Sequence, residues 1–122
     1  VTDWTAGGWN PEETAELSRL LKPMGVDLVD CSSGGNVAKA NIPVGPGYQT
    51  HLSHQVRQTA DIPTGAVGMI TSPSQADHII RTGQADMVLL ARELLRDPYW
   101  PSRAAKELRQ EIPAPVQYVR AW

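Results

Sequence analysis

The sequence lacks several things, and each absence narrows the field. Phe does not occur among the 122 residues, although four Trp do, so aromatic packing rests on a few large indoles. A single cysteine, Cys31, excludes an internal disulfide framework and fits a reducing compartment. Apolar runs stay short of the roughly 18 residues a spanning helix needs, and Val1 begins no recognisable signal peptide. A cytoplasmic protein with no membrane partner is expected. The formal net charge of -2 gives no reason to expect nucleic acid as a partner. Neither a GxGxxG fingerprint nor a GxxxxGKS/T loop occurs, so no standard nucleotide motif is present.

What is present is a repeating α/β pattern. Asn10-Pro11-Glu12-Glu13 is a helix start, with Asn as N-cap, Pro at the first position and acids in the first turn. Leu17, Leu20, Leu21 and Met24 follow at helical spacing and predict one apolar stripe, with Gly25 as the stop. The β-rich run Val26–Cys31 leads into Ser32-Ser33-Gly34-Gly35 and a Gly/Pro-rich loop to Tyr48. Leu52, Val56 and Ala60 mark a second helix, and Pro63–Ile70 a second strand with Gly68 near its end. Ser72-Pro73 opens a third helix with Ala76, Ile79 and Ile80 on one face and Gly83 closing it. Ala85–Leu90 is the third strand, running into Ala91-Arg92-Glu93, and a last helix passes through Ala104, Ala105 and Leu108. The tail Ile112-Pro113-Ala114-Pro115 is expected to be extended.

Helices alternating with strands at this spacing mean βα units and a parallel sheet. Three strands cannot close a barrel, and an eight-unit barrel takes about 250 residues. The chain is therefore either a small open α/β domain or the last three units of something larger. The larger assembly is favoured, because an open three-stranded sheet would leave its edges exposed. The start in a loop, Val1–Gly8, without Met, also reads as a segment of a longer protein. The expected organisation is a loop over 1–9, three βα units and a last helix over 10–111, and an interface tail over 112–122.

In α/β barrels ligands sit at the C-terminal ends of strands, and phosphates are often held after the last two. Gly68 offers close backbone approach after the second strand. After the third, Ala91-Arg92 opens a short helix, and Arg92 supplies a planar cation suited to phosphate oxygens. Together they can form a phosphate cradle. The plainer alternative is a Gly at a tight turn and an Arg paired with Glu93 or Asp97. His51 and His54 share a helix without the further ligands a metal needs, so a solvated helix face is expected and no metal site. Cys31 is expected to be a buried thiol rather than a nucleophile. No acid/base pair or triad stands out. The ending Gln117–Trp122, with two aromatics and a cation, suits docking on this or another subunit.

Several stretches, taken in order, resemble the old yellow enzyme family. They are Asp30-Cys31-Ser32-Ser33-Gly34-Gly35, Gly47-Tyr48-Gln49, Gly65–Ile70, Ala85-Asp86, Ala91–Pro98 and Pro115–Trp122. The likeness is strongest to its bacterial branch of NADPH dehydrogenases and xenobiotic reductases. The resemblance implies a TIM (β/α)8 barrel, of which this chain supplies about strands 6–8 and their helices. It implies FMN as cofactor, NADPH as reductant and reduction of activated C=C bonds in enone-type substrates. Val67 and Gly68, then Ala91 and Arg92, would bind the flavin phosphate, with Ser33 and Gly34 near the same face. The family usually has Gly where Ala91 stands, and Arg-Gly-Trp where Arg120-Ala121-Trp122 stands. Arg120 resembles the residue that lines a neighbouring subunit's active site, which implies a homo-oligomer formed through the tail. The substrate-binding His pair (or His/Asn) and the Tyr proton donor would lie on earlier strands. No catalytic residue is therefore expected within these residues, and the segment is expected to be inactive without the N-terminal remainder of the barrel.

Overall fold

In the computed structural model of the chain, residues 1–121 are described; the expectation for Trp122 lies outside the described residues. Helix α1, Pro11–Leu21, begins where the local chemistry says it should. Asn10 accepts a hydrogen bond from the Glu13 N–H at 2.9 Å, and Glu13 accepts one from the Asn10 N–H at 3.0 Å, closing a capping box. The face it buries differs from the expected Leu stripe. Thr14, Ala15 and Ser18 are buried, whereas Leu20 and Met24 are 55% and 77% exposed and Leu17 is exposed too. Small residues let α1 lie close against α2, Thr50–Ala60. The large apolar residues lie on a flank that nothing among the described residues covers.

Strands β1 (Val29–Cys31), β2 (Thr64–Val67) and β3 (Met87–Leu89) form one parallel sheet in the order β1-β2-β3. They are shorter than expected, because the flanking apolar residues Val26, Ile70 and Leu90 pack without joining the ladder. On the helix side, Cys31 packs with Val56, Ala60 and Ile62. Ala66 packs there with Ile70, Ala76, Ile79, Ala85, Trp100 and Ala104. These residues join the sheet to α2, α3 (Pro73–Arg81) and α5 (Trp100–Glu107). Register places Asp30, Gly65 and Met87 side by side on the opposite face, where Asp30 and Met87 are exposed. Parallel sheets normally have both faces covered, whereas here Asp30 and Met87 on this face and Leu20 and Met24 on the α1 flank are exposed. Residues 112–115 carry no helix or turn, and after them Val116–Ala121 wind into a 3-10 segment. No helix among the described residues is long and apolar enough to cross a membrane.

The N-terminal end of the sheet is tied by Asp86. Its carboxylate accepts from Arg57 Nε at 2.9 Å, Arg57 Nη2 at 3.1 Å and the Thr64 N–H at 2.9 Å. The Arg57 guanidinium holds the Asp86 carboxyl below its ordinary range. A depressed carboxyl adds stability above its unfolded pKa, and that stability is lost as pH falls through the folded value. Replacing Asp86 with Asn in the full-length protein should therefore cost about 1 kcal/mol at neutral pH, a modest figure because the pair is partly solvated. The difference from the parent should shrink as the carboxyl range is crossed in acid, which thermal melts across a pH series would measure.

Candidate functional site

The C-terminal ends of the three strands open into one cleft of about 550 Å3. Ser33 comes to it from the loop after β1, Val67 and Gly68 from the end of β2, and Ala91 and Arg92 from the end of β3. One residue expected near this face, Gly34, is not among those lining the cleft. Gly34 donates its N–H to the Thr2 carbonyl at 3.0 Å, and a Cβ there would meet Ile42 Cδ1 at 2.8 Å, so it serves loop packing. Arg120, expected to reach a neighbouring subunit's active site, is exposed on the 3-10 tail.

Gly68 is required by its backbone. Its φ of +119° is disfavoured for any L side chain, and an added Cβ would lie 2.8 Å from Gln49 Nε2 and 2.9 Å from Tyr48 Cε1. Its carbonyl accepts the Gly47 N–H at 2.9 Å, which ties the turn to the loop before α2. Among the described residues, no hydrogen bond is donated by the backbone N–H of Gly68, Met69, Ala91 or Arg92. Donors left free at adjacent strand ends suit an anion's oxygens.

Arg92 begins the short helix α4, Arg92–Arg96. The two acids that could neutralise it are taken. Glu93 accepts from Arg96 Nη2 at 2.6 Å, and Asp97 accepts from Arg103 Nε at 2.8 Å. The Arg92 guanidinium has no hydrogen-bond or ion-pair partner among the described residues. In the structure Glu93 and Asp97 are paired with Arg96 and Arg103 rather than with Arg92. Arg92 and the residues with free backbone donors thus line one cleft, and a planar cation with backbone N–H groups is a donor set that suits an anion.

The other candidates have local roles. His51 meets the ring of Trp4 edge-on at 6.3 Å, and His54 Nδ1 lies 3.4 Å from the Gly83 carbonyl. Cys31 is fully buried, and burial pushes its thiol up to about 11. A thiol-specific reagent at pH 8 should accordingly leave Cys31 unmodified in the folded full-length protein and label it after denaturation. One participant, Gln49 of the Gly47-Tyr48-Gln49 motif, had no role assigned from the sequence. Gln49 is 3% exposed, lines the cleft, and donates from Nε2 to the Val67 carbonyl at 3.0 Å. Its signal in the sequence was its place in that motif, directly before a helix start.

Residues 2–111 match the sequence profile described as the NADH:flavin oxidoreductase / NADH oxidase family. The chain belongs to that family. It is a family of FMN oxidoreductases, in keeping with the old yellow enzyme motifs. Over all 122 residues the chain is 49% identical to an NADPH dehydrogenase of Bacillus subtilis. It is 50% identical over the same span to one of Geobacillus thermodenitrificans and 49% to one of Halalkalibacterium halodurans. In each comparison the whole chain is covered, and it spans 36% of the relative's length.

Proposed function

We propose that this chain is the part of an FMN-dependent, NADPH-oxidising ene-reductase that grips the phosphate of the flavin. The observation that carries the proposal is the uncommitted Arg92 guanidinium in the same cleft as the Gly68 turn. In this reading β1, β2 and β3 are strands 6–8 of a TIM barrel. The bare sheet face and the exposed Leu20–Met24 flank then await the barrel interior and the preceding helix. Phosphates are commonly held after the last two strands of such barrels, which is where Gly68 and Arg92 stand.

Arg92 would hold the phosphate through its planar fork, and the free N–H groups at residues 68 and 91 would share the charge. Ala91 keeps the backbone donor while adding one methyl where Gly is usual. When bound, FMN supplies hydride transfer, from NADPH to the β-carbon of an activated alkene. The residues of this chain orient the flavin by its phosphate end, and substrate polarisation falls to the N-terminal remainder of the barrel. The exposed tail residues Val116, Tyr118, Val119 and Arg120 suit a homo-oligomeric contact in which Arg120 enters a neighbouring active site. Purified full-length protein should be yellow and should reduce an enone such as cyclohexenone at the expense of NADPH. Colourless protein that does not take up FMN would refute the proposal.

A further inference from the structure

Gln49 stands at the N-cap of α2, yet its side chain makes no capping bond. It reaches across the site instead. Trp4 Nε1–H donates to Ser33 Oγ at 2.8 Å, the Ser33 hydroxyl donates to Gln49 Oε1, and Gln49 Nε2–H donates to the Val67 carbonyl at 3.0 Å. The two ends fix the direction of this relay. An indole N–H can only donate and a backbone carbonyl can only accept, so the hydroxyl and the amide between them have one consistent orientation. With its proton spent on Gln49, the Ser33 hydroxyl has none to offer an anion.

The relay joins three segments: the loop over residues 1–9, the loop after β1 and the end of β2. It also explains the space around Gly68, since a Cβ there would lie 2.8 Å from the same Gln49 amide nitrogen. The Gln49 side chain therefore occupies the place a side chain at 68 would need, and it holds the carbonyl of the preceding residue. Polar chains of this kind, part-buried here, restrict their members to one geometry when every group is satisfied.

We propose that Gln49 is a positioning residue of the phosphate cradle, locking the turn at Val67-Gly68 to the β1 loop before the cofactor arrives. The inference rests on the FMN-phosphate reading above and deepens it. Gln49 does not touch the phosphate; it acts through the backbone of Val67 and Gly68.

The test uses full-length apoprotein titrated with FMN and with riboflavin, which shares the ring system and lacks the phosphate. Arg92→Ala and Gln49→Ala should each lower FMN affinity by roughly tenfold or more, while riboflavin affinity changes less than about threefold. Gln49→Glu gives an independent arm. A carboxylate facing the Val67 carbonyl cannot donate, whereas a protonated carboxyl can, and burial raises the pKa of such a group. FMN affinity of Gln49→Glu relative to the parent should therefore recover as pH is lowered from about 8 to about 5.

Loss of FMN preference in Arg92→Ala without loss in Gln49→Ala would overturn the role of Gln49 alone. So would a Gln49→Ala variant that loses FMN and riboflavin equally, since that marks general support of the fold. An Arg92→Ala variant that keeps its full preference for FMN over riboflavin would overturn the phosphate reading itself. If Gln49→Ala does not fold, the Gln49→Glu titration decides, and a flat pH profile relative to the parent overturns the positioning role.

Discussion

Replacing Arg92 with Ala in the full-length protein is expected to weaken FMN binding by roughly 10- to 100-fold, the range for charge-assisted hydrogen bonds to a phosphate. The size of the effect follows from what the other charges are doing. Arg96 and Arg103 are also near α4, but each is engaged, with Glu93 at 2.6 Å and with Asp97 at 2.8 Å. Neither can replace Arg92 without abandoning a carboxylate. Arg92→Lys should fall between parent and Ala, because it keeps the charge and loses the planar fork. Thermal stability of the apoprotein should hardly change, since the exposed Arg92 side chain makes no ion pair among the described residues. Titration of apoprotein by flavin fluorescence, with apoprotein melts alongside, separates binding from folding.

Gly68→Ala is expected to act on both at once. Holding a non-glycine residue at φ +119° costs on the order of 1–3 kcal/mol. The new methyl would also press on the Tyr48 ring at 2.9 Å and on the Gln49 amide at 2.8 Å. Displacing Gln49 breaks its bond to the Val67 carbonyl, so the turn that presents the Gly68 N–H loses its anchor. Apoprotein melting should fall, and FMN affinity should fall by roughly tenfold or more. A Gly68→Ala variant that melted and bound FMN like the parent would show that the turn adjusts freely, contrary to the geometry.

The contrast between these two positions explains what could be read from the sequence. Helix starts were legible because their chemistry is local: Asn10 with Glu13, and Ser72, whose Oγ accepts the Gln75 N–H at 3.2 Å. The βα alternation was legible for the same reason. The buried face of α1 was not, because periodicity marks Leu17, Leu20 and Met24 as apolar without saying which neighbour covers them. In this chain α1 lies against α2, and the residues it buries are Thr14, Ala15 and Ser18.

Strand ends were overrun because Ile70 and Leu90 belong to the core without belonging to the ladder. The turn between Val67 and Ile70 is set by positive φ at both Gly68 and Met69, and the second of these is a residue type that gives no warning of it. Gly68 and Arg92 could be placed at strand ends from spacing alone. Whether Arg92 was free depended on rotamers at Glu93, Arg96, Asp97 and Arg103, which no periodicity encodes. The role of Gln49 was hidden for a related reason, as its partners Ser33 and Val67 lie 16 and 18 residues away. The ordered motifs supplied the family, which the match over residues 2–111 bears out.

The most direct test of the central claim is a crystal structure of the full-length protein with FMN. The account predicts phosphate oxygens within about 3 Å of the Arg92 guanidinium and of the Gly68 backbone N–H, in a cleft closed by the remaining barrel strands. A phosphate held by other residues, with Arg92 still free in solvent, would contradict it.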